Sequence, residues 1–341
     1  MGVLSPDIGV DLGSSSVVLY VTGRGLVLRE PSLIIVRNDQ SREAVAIGEE
    51  AREMLGRMPQ DLVAVHPILQ GVIADFELTV LMLKYFLRLA IGVNRIGKPR
   101  AVVAIPANVT EMERRAVEEA FRMSGFRYVH LVEAAVAAAH GSGLAVYEPQ
   151  GSLVVDIGGG TTEVAVISMG SIVAGRSERT AGMAWDNAIV SYVKKNHNLL
   201  IGDRTAEEIK IDLGRATRVK ELRRAMVRGR DVVTGLPQTI ELTSDQIYEA
   251  LQDSTRQVLN LLTWTLERTP PELGADIMRT GIYLTGGGAL LPDMDQLFAT
   301  ELGLIAQVAR NPMDCVALGC GYLATNIELL GRIGRNHPLT E

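Results

Sequence analysis

The chain has 341 residues, enough for two domains with substantial cores. Hydrophobic residues make up 47% and the formal net charge is −6, which excludes a disordered chain and gives no support for a nucleic-acid partner. Two separated cysteines (Cys315 and Cys320), five scattered histidines, no basic-then-apolar leader and no apolar run of about 18 residues predict a cytoplasmic protein with buried free thiols, no histidine metal cluster and no spanning helix.

Ile8-Gly9-Val10 leads into Asp11-Leu12-Gly13-Ser14-Ser15-Ser16 and out through Val17-Val18-Leu19-Tyr20, which predicts strand, tight turn, strand. Leu26-Val27-Leu28 and Leu33-Ile34-Ile35-Val36 are short apolar runs either side of Pro31-Ser32. Helices are expected over residues 49–57 and 78–91, and a buried strand over 101–105 that stops at Pro106. Thr110 with Glu113 is a capping-box start for a helix reaching about residue 123. A strand over 128–132 and an alanine-rich helix over 134–140 follow.

The opening pattern then returns. Leu153-Val154-Val155 precedes Asp156-Ile157-Gly158-Gly159-Gly160-Thr161-Thr162, and Val164-Ala165-Val166-Ile167 follows it. Helices are expected over 185–195 and 206–213, then one long helix or two over 244–266. Residues 215–230 hold seven Lys or Arg without interleaved aromatics and read as a solvated helix face. A third glycine cluster, Gly286-Gly287-Gly288-Ala289, follows the strand run 281–285, and a final helix over 314–330 returns to the first half.

Glycine lets backbone approach a ligand closely, and successive N–H groups in such a turn make an anion-binding concavity. Ser14, Ser15, Ser16, Thr161 and Thr162 add hydroxyls. Asp11 and Asp156 suit a hydrated Mg²⁺, which keeps several waters and takes few carboxylates. Two such hairpins in two halves imply two similar domains gripping one phosphate chain. The third cluster suits a nucleoside or its α-phosphate.

With these segments in place the chain resembles the actin-like ATPase superfamily, and within it the MreB/Mbl family of bacterial cytoskeletal proteins. The specific stretches are Gly9-Val10-Asp11-Leu12-Gly13, Arg29-Glu30-Pro31-Ser32, residues 154–170, 199–210 and 228–238, Thr269-Pro270-Pro271-Glu272, residues 284–291 and Cys315-Val316-Ala317-Leu318-Gly319. Sugar kinases and chaperone ATPases share the phosphate turns but not the linking segments. The resemblance implies an actin-like α/β fold: two related domains, with mixed sheets flanked by helices, around a nucleotide cleft. Domain I would hold residues 1–148 and 313–332, domain II residues 149–312, with a tail at 333–341. It implies ATP and Mg²⁺ as cofactors, self-assembly into filaments, and a peripheral place at the inner membrane face beside cell-wall synthesis proteins, maintaining rod shape. Ser14 to Ser16 and Gly158 to Gly160 fall on the two phosphate turns, Glu207, Glu208 and Lys210 on the segment bordering the nucleoside, and Gly286 to Ala289 on the adenosine motif.

Three departures matter. The family turn Asp-Leu-Gly-Thr-Ala-Asn-Thr reads here Asp-Leu-Gly-Ser14-Ser15-Ser16-Val17, without a side-chain amide. The family Glu-Glu-Pro reads Glu133-Ala134-Ala135, which removes the glutamate expected to orient the attacking water. A positioned base contributes about 10²- to 10⁴-fold, so slow hydrolysis is expected, with Glu133 and Thr162 as the groups that could still position water. Residues 1–6 are too short for an amphipathic anchor helix; the loop 91–97 offers Val93 and Ile96 as insertion residues instead. A small-molecule kinase on the same fold is the alternative, with Asp186 as its candidate base.

Overall fold

One five-strand pattern is built twice. The structure, a computed structural model, describes residues 6–92, 97–218, 221–326 and 329. The first half runs β1 (Ile8–Leu12), β2 (Ser16–Val21), β3 (Gly25–Pro31), β4 (Ile34–Arg37), β5 (Ala44–Ile47), α1 (Glu49–Met54), β6 (Leu62–Val65), β7 (Ile68–Leu69), β8 (Val72–Ile73), α2 (Phe76–Ile91), β9 (Arg100–Ile105), α3 (Glu111–Met123), β10 (Tyr128–Glu133) and α4 (Ala134–Gly141). The second runs β11 (Ser152–Ile157), β12 (Thr162–Ser168), β13 (Ser171–Glu178), α5 (Gly182–His197), β14 (Leu199–Leu200), α6 (Asp203–Leu213), β15 (Arg224–Asp231), β16 (Pro237–Thr243), α7 (Ser244–Glu267), α8 (Pro271–Thr280), β17 (Ile282–Thr285), α9 (Met294–Leu302) and β18 (Ala306–Val308), and α10 (Cys315–Thr325) closes the chain.

The first sheet has the order β3-β2-β1-β9-β10 and the second β13-β12-β11-β17-β18. In both, three strands form an antiparallel meander and two more add in parallel to the founding strand. The register coincides as well. Asp11 lies opposite Val18 and Ala104, and Asp156 lies opposite Glu163 and Thr285. The repeated sequence pattern is therefore a repeated structure, with the two aspartates at equivalent places.

Separate cores support the halves. Val10, Leu19, Phe86 and Phe121 anchor one; Val155, Trp185, Leu262 and Phe298 anchor the other. A third cluster forms the seam, where α4 and α10 lie between the sheets and join Val102 and Val132 to Val154 and Ile167. Alanine and glycine let these helices meet backbone to backbone. A β-carbon on Gly141 would fall 1.8 Å from the Cys315 carbonyl oxygen, and one on Gly319 would fall 1.8 Å from that of Ala137. Both cysteines are free and buried in this region.

Several local expectations hold. Thr110 and Glu113 form the reciprocal capping box of α3, and residues 244–266 belong to one helix, capped by Thr243 and Gln246. The basic stretch is a correction: its residues from Arg224 onward belong to β15, paired with β16, not to a helix. Its burial alternates residue by residue, which suits a strand, and several of its cations are paired, among them Arg215 with Asp293 at 2.7 Å and Arg224 with Glu241 at 2.7 Å. The helix α8 is not among the expected elements, whereas the third glycine cluster leads, as a strand, glycine turn and helix start, into α9. The candidate membrane residues Val93 and Ile96, and the tail at 333–341, lie outside the described residues. Among the described residues no helix is long and apolar enough to cross a membrane.

Candidate functional site

Both hairpin turns open onto one cleft of about 360 Å³ between the two sheets, a volume suited to a small-molecule ligand. The turns close alike. Gly13 N–H donates to the Ser16 carbonyl at 3.2 Å, and Gly158 N–H to that of Thr161 at 2.9 Å. Among the described residues, the N–H groups of Ser14, Ser15, Gly159 and Gly160 have no hydrogen-bond partner. These unpaired donors give each turn the makings of an anion nest.

Neighbouring elements brace each turn. Ser32 accounts for part of the Arg29-Glu30-Pro31-Ser32 segment: its hydroxyl donates to Gly13 O at 2.6 Å and its N–H to Ser15 O at 3.0 Å. Gly71 N–H donates to Ser14 Oγ at 2.9 Å. In the second half, the first N–H groups of α5, from Gly182 and Met183, bond the carbonyls of Gly158 and Gly159 at 3.1 and 2.8 Å. The two turns also touch each other. A β-carbon on Gly159 would fall 2.5 Å from Ser15 Cβ, and one on Gly160 would fall 2.3 Å from Ser14 Oγ. Glycine is required there because the halves meet at the turns.

Asp11 and Asp156 both line the cleft. Burial and then the Asp156 carboxylate push Asp11 up to about 7, against the pull of the Arg29 guanidinium. Burial lifts Asp156 to about 6, opposed by the Thr285 hydroxyl, which donates to its Oδ1 at 2.7 Å. Ala104 occupies the place equivalent to Thr285 and offers Asp11 no hydroxyl. Two carboxylates that resist ionising together suit a dication between them. No group of three or more His, Cys, Asp or Glu among the described residues could cage a metal. The pair fits a hydrated Mg²⁺ that takes its other ligands from water and phosphate.

In the second half, Lys210 Nζ donates to the Gly182 carbonyl at 3.1 Å and lies 2.8 Å from Asp186 Oδ1 and 2.9 Å from Oδ2. Glu207 lines the cleft on the same helix. Asp186, the base a kinase reading would need, is thus already held by a lysine. Gly286, Gly287 and Gly288 also line the cleft, Gly286 with φ +79°. A β-carbon on Gly288 would fall 2.2 Å from Ile157 Cγ2, so the glycine cluster lies directly on β11.

Asp11, Gly13, Ser14, Ser15, Ser16, Asp156, Gly158, Gly159 and Gly160 all line the cleft, as do Glu207, Lys210 and the three glycines 286–288. Four candidates do not. Glu208 points outward to pair with Arg204 at 3.1 Å, and Ala289 is packed into the core of the second half. Thr162 is buried, with its hydroxyl donating to the Thr180 carbonyl at 2.6 Å. Glu133 precedes α4, and it is Ala134 that lines the cleft. Arg29 and Glu163 line it without having been singled out. For Glu163 the signal was present: an acid inside the apolar run of β12, which is buried along its whole length, cannot be a surface residue.

Comparison with known proteins gives a consistent result. The MreB/Mbl protein family model matches residues 5–332. The cell shape-determining protein Mbl of Bacillus subtilis is 46% identical over 324 residues, 95% of this chain and 97% of its own length. The cell shape-determining protein MreB of Escherichia coli is 43% identical over 335 residues, 97% and 96% of the two chains. Among solved structures, MreB5 of Spiroplasma citri bound to AMPPNP superposes with a TM-score of 0.91 at 36% identity, covering 98% of this chain and all (100%) of the other. The MamK double helical filament superposes at 0.78 with 18% identity and covers 94% and 99%, a likeness of fold. On the strength of a family model spanning almost every residue and relatives 46% and 43% identical, this chain belongs to the MreB/Mbl family of actin-like proteins.

Proposed function

We propose that this protein binds ATP with Mg²⁺ in the interlobe cleft and assembles into filaments at the inner face of the bacterial membrane, where they organise cell-wall synthesis and maintain rod shape. One observation carries the reading: two equivalent turns with unpaired N–H groups meet across a single cleft that also holds Asp11 and Asp156. The triphosphate would lie between the turns, with Ser14 to Ser16 on one side and Gly158 to Gly160 on the other. Asp11 and Asp156 would hold the hydrated cation, whose chemistry is to neutralise phosphate charge. Glu207, Lys210 and glycines 286–288 would border the nucleoside. The AMPPNP and ADP complexes of MreB5, a relative with 36% identity, support a nucleotide as the ligand.

Membrane contact is assigned to Val93 and Ile96. Two aliphatic side chains contribute a few kcal/mol at most, so attachment depends on a filament multiplying weak contacts. A contact surface that repeats head to tail without closing gives such a filament. Electron microscopy of the protein with ATP, Mg²⁺ and lipid tests the whole reading. Filaments on lipid that disappear when nucleotide is stripped are expected; equal assembly without nucleotide refutes it. Loss of liposome co-sedimentation on replacing Val93 and Ile96 by Ser tests the membrane loop separately.

A further inference from the structure

Five acids line the cleft: Asp11, Asp156, Glu163, Asp186 and Glu207. Asp11 and Asp156 face each other's charge and fit the cation. Asp186 is bound by Lys210, and Glu207 stands one helical turn from that lysine on α6. Glu163 has a different situation. It sits in β12, two residues beyond the Gly158–Thr161 turn and directly opposite Asp156. Its residue is 1% exposed. Its Oε2 accepts from the Ala135 N–H at 3.2 Å, and so caps α4 from the other half of the molecule; Glu133, the residue preceding that helix, supplies no side-chain cap. Its Oε1 is buried without a hydrogen-bond partner. Next to this carboxylate stands Ala134, whose side chain brings no polar atom to the cleft. One oxygen is fixed and the other is unsatisfied, at a wall where a buried acceptor without a partner is costly unless a water donates to it.

We propose that Glu163 holds and orients the water that attacks the terminal phosphate of bound ATP. The inference rests on the reading of the cleft as an ATP site. A water donating to Oε1 stands beside the second phosphate turn. Its oxygen forms a bond to the γ-phosphorus, and the bond from that phosphorus to the bridging oxygen breaks, with the electron pair leaving on ADP. Glu163 keeps one hydrogen of this water in its hydrogen bond, and the proton released passes to a γ-phosphate oxygen. Anchorage on the α4 N-terminus fixes the carboxylate's position, and hydrolysis therefore persists with alanine at position 134.

Glu163→Gln separates this role from a structural one. The amide oxygen still accepts from Ala135, so the cap is kept, while the second acceptor oxygen is replaced by an NH2 donor. The expected result is a fall of at least tenfold in single-turnover phosphate release, with the Kd for AMPPNP unchanged within threefold and filaments still formed with ATP. Adding Ala134→Glu to Glu163→Gln supplies a carboxylate from the neighbouring position on α4 and is expected to restore release. Phosphate release unchanged in Glu163→Gln overturns the inference. So does loss of AMPPNP binding in step with hydrolysis, or no recovery in the double variant. A parent protein that binds no ATP refutes the cleft assignment and this inference with it; one that binds ATP, with Glu163→Gln hydrolysing normally, refutes this inference alone.

Discussion

Gly160→Ala is the sharpest test of the idea that the cleft works by bringing its two turns together. An added β-carbon would lie 2.3 Å from Ser14 Oγ, 2.7 Å from Ser14 Cβ and 3.0 Å from Gln70 Cα. Carbon atoms pack at about 3.5 Å, so the turns must separate by roughly 1 Å. A rotamer change at Ser14 removes the clash with Oγ but not those with Cβ and Gln70. Overpacking of this kind costs about 1–3 kcal/mol. The cost falls on the closed cleft and not on the two lobe cores, which lie away from the turn. A ligand that needs the closed state loses affinity by the fraction of molecules no longer closed, here roughly 5- to 150-fold. Trp185 is a built-in reporter, since it lines the cleft and its buried Nε1 has no hydrogen-bond partner. In a Trp264→Phe background it is the remaining one of two tryptophans, and its fluorescence during AMPPNP titration gives the Kd. Affinity for AMPPNP within twofold of the parent would refute the argument. So would a large fall in the melting temperature of the nucleotide-free protein, because the clash would then act on the fold itself.

Gly274→Ala is the control: position 274 lies inside α8 with nothing within 4 Å of an added β-carbon, so a gain of up to about 1 kcal/mol in stability and no change in nucleotide affinity are expected by thermal melting and titration. Thr285→Val deletes the hydroxyl that holds Asp156; a loss of about 1 kcal/mol in chemical denaturation and a higher Mg²⁺ requirement for nucleotide binding are expected. Lys210→Met leaves the half-buried Asp186 without its cation, which should cost about 1–3 kcal/mol and weaken nucleotide binding, whereas a stability equal to the parent would show that the pair contributes nothing. Asp11 and Asp156 are raised from 3.8 to about 7 and about 6, so the folded state keeps protons that the unfolded state has released. Their contribution is full below about pH 4 and is lost as pH rises through 6 to 7, so these groups lower the melting temperature of the nucleotide-free protein over that range, and saturating Mg²⁺ and ATP flatten the fall; an Asp11→Asn, Asp156→Asn variant that keeps the full pH slope would contradict this.

The parts of the site most legible in the sequence were those where chemistry restricts residue type. A turn that must bring backbone against a neighbour admits only glycine and small hydroxyl residues, and both turns announced themselves in that way. Their equivalence reaches to the register of Asp11 and Asp156 because the flanking apolar runs have matching lengths. Less was legible where a residue's role is set by a distant partner. Glu163 accepts from Ala135, and nothing local to β12 signals that bond. Glu208 and Lys210 lie two apart on α6 and so face different ways, one to solvent and one into the cleft. The strand β15 was hidden by its charge, since seven cations in sixteen residues drew attention from an alternation that its burial makes plain. The helix α8 carried its own signal in Pro270-Pro271, proline at the first helical position, which is tolerated because no N–H is needed there.

How a nucleotide could govern assembly follows from where the unpaired donors lie. A ligand shifts a conformational equilibrium only by its differential affinity for the two states. Ser14 and Ser15 belong to one half and Gly159 and Gly160 to the other, so a phosphate chain can bond both sets only when the halves are closed. Closure would then be transmitted through the seam. The first residue of α4 lines the cleft, its second is tied to Glu163 across the halves, and its last meets the start of α10 at backbone contact. The segment leading into α10 is itself tied to both sides: the Pro312 carbonyl accepts from Gly286 N–H at 2.8 Å, and Arg29 from the first sheet donates to the Met313 carbonyl at 3.2 Å and pairs with Asp314. A change in lobe angle must therefore slide or rotate two helices that pack without side-chain slack. Such a contact favours discrete arrangements over a continuum, and a filament interface that spans both halves would sense which of them is populated.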